Sequence, residues 1–99
     1  MAGFILSPKA KSDINNIYKY TSEKWSISQA DKYFNGLQDA MNEISLNPDI
    51  GRKYGYIKPD YFGRKYKSHI IFYQILNSNE IKIIRILQEK MDIPNILNE

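Results

Sequence analysis

Apolar side chains recur at helical spacing in two consecutive stretches of the first half of the chain. The first stretch follows Ser7-Pro8, where a hydroxyl is suited to cap a helix and proline to occupy its first position. The pattern therefore predicts a helix from about Pro8 to Trp25. Its apolar face carries Ala10, Ile14, Ile17, Tyr18, Thr21 and Trp25.

A second helix is predicted directly after the first. Ser26 to Gln29 matches a capping box, and Asn47-Pro48 ends the pattern because proline cannot continue it. Gly36 is expected to weaken this helix by about 1 kcal/mol relative to alanine. Because the link between the helices is short, we expect an antiparallel helical hairpin. The apolar stripe of the second helix consists of Ala30, Tyr33, Phe34, Leu37, Met41 and Ile44.

The rest of the chain favours strands. Apolar and β-branched residues predict four strands, at Phe4–Leu6, Phe62–Lys67, His69–Leu76 and Ile81–Leu87. Asn77-Ser78-Asn79 supplies turn chemistry between the last two strands, and an irregular or short helical tail begins near Asp92. The order β-α-α-β-β-β predicts an α+β fold, a helical hairpin packed on a small, mostly antiparallel sheet, as a single domain over residues 1–99.

Both faces of the last strand are largely apolar. Strict alternation puts Ile81, Ile83, Arg85 and Leu87 on one face and Lys82, Ile84, Ile86 and Gln88 on the other. We therefore expect a central strand with the helices on one side. The other face of the sheet then needs a cover, either the C-terminal tail or another chain, which points to a partner.

The segment from Asn47 to Tyr61 is the longest irregular part of the chain. It contains Tyr54, Tyr56 and Tyr61 among lysines and arginine. Long loops are often functional, so these rings are candidates for stacking contacts. The interpretation that we favour slightly is that the tyrosines hold the loop against the body of the protein.

Composition narrows the class of protein. The 99 residues include no cysteine, which excludes disulfides and zinc–thiolate sites, and the apolar runs are too short to span a bilayer. No basic leader is present, so we expect a soluble cytoplasmic protein. Residues 1–50 carry five cations and six acids, whereas residues 51–99 carry nine cations and five acids. The basic half is suited to nucleic acid or an acidic protein, unless its lysines form only a solvated loop.

The sequence offers few candidates for catalytic or metal-binding residues. The only histidine, His69, lies on a core-like strand and is more typical of a structural side chain than of a catalyst. We expect no metal site and no cofactor. The cations Lys53, Lys58, Arg64, Lys65 and Arg85 suggest an RNA-cleaving alternative, in which they would stabilise charge on a phosphodiester. Such an enzyme also needs a proton donor and acceptor, for which lysine or tyrosine would have to serve.

Several ordered segments resemble the ParE toxins of bacterial type II toxin–antitoxin modules, within the RelE/ParE superfamily. They are LSPKAKSDINNIYKYTSEKW, QADKYFNGL, NPDIGRKYGYIKPDYFGRKYKSHIIFYQ and IKIIRILQEKMD, which together cover about Leu6 to Asp92. The resemblance implies the RelE/ParE-like fold and a toxin that inhibits DNA gyrase. It also implies neutralisation by a ParD-like antitoxin whose C-terminal segment wraps the helical hairpin and the sheet, as a segment that folds on binding can.

The superfamily also contains RelE-like ribosome-dependent mRNA endonucleases. Many of these relatives have a histidine where this chain has Gln88, and glutamine does not exchange a proton near neutral pH. The departure favours a binder that is not an enzyme. Three hypotheses stay open: a gyrase inhibitor, an mRNA endonuclease, and an inactive member that only binds its antitoxin.

Residues for each partner follow from these considerations. For gyrase we nominate Arg64 and Arg85, with Lys90 and Met91 as further candidates. The alternative for the arginines is a structural salt bridge inside the sheet. No sequence-specific contact with nucleic acid and no membrane contact is expected. The residues nominated for the antitoxin, which the same stripes also allow to be plain core, are Ile14, Tyr18, Trp25, Tyr33 and Leu37.

Overall fold

The computed structural model describes residues 3–77 and 80–98. In chain order the elements are β1 (Gly3–Leu6), α1 (Pro8–Lys24), α2 (Ile27–Leu46), a 3-10 turn (Pro48–Ile50), β2 (Arg52–Lys53), β3 (Phe62–Tyr66), β4 (His69–Asn77), β5 (Glu80–Gln88) and α3 (Ile93–Leu97). The described strands form one sheet in the order β1-β5-β4-β3-β2, in which only β1 and β5 are parallel. The predicted α+β class, with a helical hairpin on a mostly antiparallel sheet, is confirmed.

Both helices of the hairpin begin at the predicted serines. The Ser7 hydroxyl accepts a hydrogen bond from the Ala10 amide, and the Ser26 hydroxyl accepts one from the Gln29 amide, each at 3.0 Å. These caps satisfy amides that have no partner within the first helical turn. Trp25 lies one residue beyond α1 and donates its amide to the Thr21 carbonyl, so α1 ends there.

The predicted face assignment of β5 is wrong beyond Ile83. Phe72 pairs with Arg85, but the next residue, Tyr73, pairs with Ile83, so Ile84 is an extra residue in a β-bulge. One extra residue reverses the alternation of side chains. As a result, Ile86 packs under the helices together with Ile81 and Ile83, whereas Leu87 packs on the opposite face.

The main core lies between the helical hairpin and one face of the sheet. It joins α1 and α2 to β4 and β5, the two longest strands. Its buried members are Ala10, Ile14, Leu37, Met41, Ile44, Ile71, Tyr73, Ile81, Ile83 and Ile86. Burial of this apolar surface is the main force that fixes the hairpin on the sheet.

The second face of the sheet is covered by the chain itself. Ile70, Phe72 and Leu87 pack against Leu97 of α3 and against residues of the 54–61 loop. Of the two covers expected from the sequence, the C-terminal tail is therefore the one in the structure, and the loop contributes as well. Within the described residues, the face that the sequence predicted to be open is thus covered over β4 and the end of β5, whereas Ile5 of β1 stays 45% exposed.

Two of the three loop tyrosines hold the loop against the body of the protein, and the third is exposed. The ring of Tyr54 meets that of Phe72 edge to face at 5.1 Å, and Tyr61 packs on the same cluster. Tyr56 stacks on Tyr54 but is 76% exposed. The predicted pinning is thus confirmed for Tyr54 and Tyr61. Of the predicted Asn77-Ser78-Asn79 turn, Asn77 belongs to β4, and Ser78 and Asn79 lie outside the described residues.

Candidate functional site

A groove of about 630 Å³ opens between the second half of α1, the start of α2 and the adjoining ends of β4 and β5. Its walls are mostly apolar, with a few uncharged polar groups, a composition typical of ligand and peptide sites. The groove is lined by Asn16, Ile17, Tyr20, Thr21, Trp25, Gln29, Tyr33, Ser68, His69, Gln88 and Met91.

The helical wall of the groove follows from the local sequence. Tyr20 and Thr21 follow Ile17 by three and four residues, so the three side chains lie on one side of α1. Trp25 ends that helix, and its side chain is 70% exposed. A large aromatic residue at this exposure offers area for a partner at little cost in conformational entropy. The groove mouth thus presents a large exposed aromatic surface.

The floor of the groove is formed by Tyr33 of α2 and His69 of β4. The Tyr33 hydroxyl and His69 Nδ1 are hydrogen-bonded at 2.6 Å. Burial lowers the pKa of His69 below its ordinary value, an effect that the nearby Asp13 carboxylate opposes. Burial likewise raises the pKa of Tyr33. Both side chains are therefore neutral at pH 7, and the floor is a polar surface without charge.

His69 has two polar neighbours in the groove, Tyr33 and Gln88. In the sheet register His69 lies opposite Gln88, which also lines the groove and does not exchange a proton. Tyr33 occupies Nδ1, so a base role would fall to Nε2 alone. The ring of Tyr33 also meets that of Tyr66 at 5.2 Å, which holds it in place. His69 is therefore held in the fold by a hydrogen bond and a ring contact with Tyr33.

Arg85 is held in the fold, which corrects its nomination as a target-binding residue. Its Nε and Nη2 donate to Oδ2 and Oδ1 of Asp13 at 2.8 and 3.0 Å, and its side chain is only 18% exposed. Asp13 Oδ2 also accepts from the Ile86 amide at 2.9 Å. The carboxylate therefore ties α1 to the bulge of β5, and the guanidinium is committed to that contact. This is the salt-bridge alternative raised for the arginines.

The other cations nominated for a target are accessible. Arg64 is 44% exposed along its side chain and makes one long contact, 3.4 Å, with Glu43 of α2. Lys90 is exposed, and Met91, at 47% exposure, lines the groove. A surface ion pair of this length contributes little to stability, so the guanidinium of Arg64 is available to a partner.

The residues nominated for the antitoxin divide between the core and the groove. Ile14 and Leu37 are buried in the main core, which corrects their nomination because neither side chain reaches the surface. Tyr18 is half-buried outside the groove lining and donates its hydroxyl to Asp31 Oδ1 at 2.5 Å. Trp25 and Tyr33 line the groove together.

Sequence reasoning did not select several groove residues. Tyr20, 59% exposed, lies beside the apolar stripe of α1 rather than on it, and Gln29 was assigned only a capping role. His69 was placed correctly on a strand but not next to Tyr33, from which it is 36 residues away. The two-residue β3–β4 turn at Lys67-Ser68 brings these residues together, and a pattern of hydrophobicity does not reveal it.

Residues 3–77 and 80–98 contain no group of three or more potential metal ligands. The helices within the same ranges are too short or too polar to cross a bilayer.

Comparisons with known proteins agree with one another. A family model described as "ParE toxin of type II toxin-antitoxin system, parDE" matches residues 4–93. Toxin ParE1 of Mycobacterium tuberculosis H37Rv is 33% identical over 90 residues, which cover 91% of this chain and 92% of the relative. Toxin ParE1 of Caulobacter vibrioides is 29% identical over 92 residues, covering 93% and 94%.

Solved structures give the same result at the level of the fold. The chromosomal ParDE system from Pseudomonas aeruginosa superposes with a TM-score of 0.76 at 17% identity, covering 89% of this chain and 96% of that one. The YoeB–YefM toxin–antitoxin complex from Staphylococcus aureus gives 0.54 at 20% identity, covering 86% and 93%. Together with the sequence match, the groove and the sheet topology, these findings establish that the chain belongs to the ParE toxin family of type II toxin–antitoxin systems.

Proposed function

We propose that this protein is a toxin that inhibits DNA gyrase in the bacterial cytoplasm and is neutralised by a ParD-like antitoxin. The observation that carries the proposal is the match of the ParE toxin family over residues 4–93, a span that includes every residue that lines the groove. In this proposal the protein acts by binding and breaks no covalent bond itself.

The groove supports the antitoxin part of the proposal. It presents exposed rings and a thioether, from Tyr20, Trp25 and Met91, around a neutral floor. Such a surface is suited to an extended or helical segment that orders when it binds. The titles of the two similar solved structures name toxin–antitoxin assemblies, which favours an antitoxin as the occupant here.

Accessible cations support the gyrase part. Arg64 offers a forked donor on β3, and Lys90 follows β5 beside the groove. Both lie in the basic half of the chain, which favours association with acidic protein or with DNA held by an enzyme. Arg85 is left out of this surface because Asp13 already binds it.

The absence of an enzymatic role is inferred from the chemistry of the groove floor. A ribonuclease of this size needs a residue that accepts a proton and another that donates one. The floor has one histidine with Nδ1 occupied, a tyrosine whose pKa is raised, and a glutamine. The likeness to the YoeB–YefM complex concerns the fold alone and does not favour cleavage of RNA.

The proposal is tested by a pair of assays on purified, antitoxin-free protein. In the first, gyrase and relaxed plasmid are incubated with the wild type and with Arg64→Gln, with Lys9→Gln on the exposed start of α1 as a matched loss of charge. We expect the wild type to inhibit supercoiling, Arg64→Gln to need about tenfold more protein, and Lys9→Gln to match the wild type.

The second assay adds the same proteins to translating ribosomes and maps the ends of the mRNA. Cuts in mRNA that disappear in His69→Gln, without loss of supercoiling, would replace the proposal with the endonuclease alternative. Silence in both assays from a folded sample would leave an inactive member that only binds its antitoxin.

A further inference from the structure

Lys67 has a backbone conformation that L-amino acids rarely adopt. It is the first residue of the two-residue turn between β3 and β4, and its φ is 51°. Hairpin turns with positive φ at this position favour glycine, because any Cβ there is crowded by the backbone. Among residues 3–77 and 80–98, only Asp60, with φ of 65°, shares this conformation without being glycine.

The side chain of Lys67 is poised at the edge of the groove. Its Nζ lies 5.8 Å from the ring centroid of Tyr33 and 5.7 Å from that of Tyr66, within the range of cation–π contacts. The next two residues, Ser68 and His69, line the groove. The residue is exposed, and in the described part of the chain no carboxylate forms an ion pair with its ammonium.

Two further lysines lie beside residues that line the groove. Lys24 lies over the ring of Tyr20 at 5.6 Å, and Lys90 precedes Met91. Glu89, the acid at this edge of the sheet, is neutralised by Lys65 at 2.8 Å. No carboxylate is among the described residues that line the groove. An occupant with acidic side chains would complement this rim.

We propose that Lys67 is the residue by which the groove selects an acidic segment of its protein partner. The strained turn fixes the ammonium beside the aromatic floor, so that it meets a partner carboxylate as the apolar side chains of the same segment enter the groove. Strain at such a position persists where the side chain has a task that glycine does not perform. The inference rests on the proposed function for the identity of that partner, the antitoxin.

The melting temperature of Lys67→Gly distinguishes a purely structural role of Lys67 from a role in recognition. If the cation–π contacts were its purpose, Lys67→Gly would unfold at a lower temperature. If recognition is its purpose, the same change relieves strain, and the melting temperature stays the same or rises by about 4 °C. Asp60→Gly, at the other positive-φ position in the 54–61 loop, measures the effect on the melting temperature of relieving backbone strain alone.

The experiment uses the full-length protein and a phage library of random peptides of about twelve residues. The library is selected on immobilised wild type, and the best peptide is labelled with fluorescein and titrated. The variants are Lys67→Asn, Lys67→Gly, Lys67→Arg, Asp60→Gly and Trp25→Ala. Asparagine tolerates positive φ, so Lys67→Asn removes the charge with little change in the backbone.

We expect binding to depend on the positive charge at position 67 and on the groove wall at Trp25. Selected peptides carry Asp or Glu next to bulky apolar residues. Lys67→Asn and Lys67→Gly raise the Kd about fivefold at ~50 mM salt, an effect that shrinks at ~500 mM. Lys67→Arg and Asp60→Gly stay within about twofold of the wild type, and Trp25→Ala weakens binding because it removes a wall of the groove.

Three results would overturn the inference: peptides without an excess of acids, an unchanged Kd in Lys67→Asn, or acidic peptides whose binding ignores Trp25. These failures are distinguishable from failure of the proposed function. A protein that inhibits gyrase but binds peptides independently of Lys67 contradicts only the role of Lys67. One that selects acids through Lys67 but leaves gyrase active contradicts only the proposed target.

Discussion

A single carboxylate organises the junction between the first helix and the sheet. β1 ends at Leu6, so β5 has no strand partner on that side beyond Ile83. Ser7 continues the hydrogen bonding along this edge of β5. Its amide donates to the Ile83 carbonyl at 3.0 Å, and its hydroxyl donates to the Ile84 carbonyl at 2.7 Å. Asp13 then accepts from the Ile86 amide and from Arg85, so the polar groups around the bulge are satisfied.

Asp13→Asn should destabilise the protein by about 3 kcal/mol. The amide oxygen can still accept from Ile86, but the mostly buried guanidinium of Arg85 loses its ion pair with the Asp13 carboxylate, which is costly. Urea denaturation measures the effect. Glu43→Gln, which breaks the exposed contact with Arg64, is the control and should cost about 0.5 kcal/mol or less.

The same argument predicts recovery in a double variant. Adding Arg85→Met to Asp13→Asn removes the mostly buried guanidinium that faces residue 13, so the pair should be more stable than Asp13→Asn alone. If the second substitution instead adds its full cost to the first, the ion pair is not the reason for the loss.

Protonation of His69 should set the stability of the fold on the acid side of neutrality. In the unfolded chain this histidine has its ordinary pKa of 6.5, and burial lowers the pKa in the folded protein. The unfolded state therefore binds more protons between the two values, and stability falls as pH drops through about 6.5 toward the folded pKa. Above that range the contribution is fully present.

His69→Gln tests this expectation, because glutamine keeps a hydrogen-bonding partner for Tyr33 but does not titrate. The free energy of unfolding is measured for both proteins from pH 7.5 to 5.5. The chain has one histidine, and the effect of Lys65 on the pKa of Glu89 acts below that carboxyl's ordinary 4.5, outside this window. Equal slopes in the two proteins would contradict the assignment.

At the scale of elements, the sequence pattern predicted correctly those features that depend on residues close together in the chain. The helix caps at Ser7 and Ser26 and the hairpin of helices depend on neighbours within a few residues, and they are confirmed. The bulge at Ile84 depends on contacts with Ser7 and Asp13, more than seventy residues away, so alternation alone did not reveal it. The paired strand Arg52–Lys53 was read as loop because its two exposed residues carry no apolar signal.

The site was less predictable than the fold for the same reason. An apolar stripe on a helix does not distinguish residues that face the core from those that face a groove next to it. Ile14 and Leu37 point into the core, whereas Trp25 and Tyr33 of the same stripes reach the groove. The packing of the helices against the sheet and the β3–β4 turn separates these environments, and it is not visible in the stripe itself.

Packing between α2 and β3 reverses the usual effect of a helical glycine. A Cβ added to Gly36 would lie 1.8 Å from the hydroxyl oxygen of Tyr66 and 2.6 Å from its Cζ. Alanine at a helix interior normally gains about 1 kcal/mol over glycine. Here Tyr66 is also packed on Tyr33, so we expect Gly36→Ala to cost about 1 to 2 kcal/mol.

Two comparisons test the Gly36 prediction by urea denaturation. In a Tyr66→Ala background, Gly36→Ala should become neutral or stabilising, since its obstacle is gone. Gly55→Ala, at a loop position where a Cβ meets nothing within 4 Å, should change stability by about 0.5 kcal/mol or less. Destabilisation by Gly36→Ala that persists without the Tyr66 ring would mean that the close approach is not the cause.

At the scale of the whole molecule, the protein closes one face of its sheet and leaves a groove beside the other. The 54–61 loop and α3 bury Ile70, Phe72 and Leu87 on the outer face. The groove, in contrast, exposes large aromatic side chains in one place and borders Met91 and Lys90. An antitoxin segment seated in it would also cover these two residues, which we nominate for gyrase, and neutralisation would follow from direct overlap.

The lone tryptophan makes occupancy of the groove measurable. Trp25 is the only tryptophan in the chain, and its 70% exposure predicts fluorescence typical of an indole in water. Titration with a tryptophan-free antitoxin encoded beside the toxin gene should shift the emission to shorter wavelength and protect it from acrylamide quenching, saturating at a fixed ratio. Trp25→Phe should abolish the signal and still bind, since phenylalanine keeps most of the apolar contact. Tight binding, detected by calorimetry, that leaves the emission of Trp25 unchanged would place the antitoxin elsewhere on the surface, and neutralisation would then not depend on the groove.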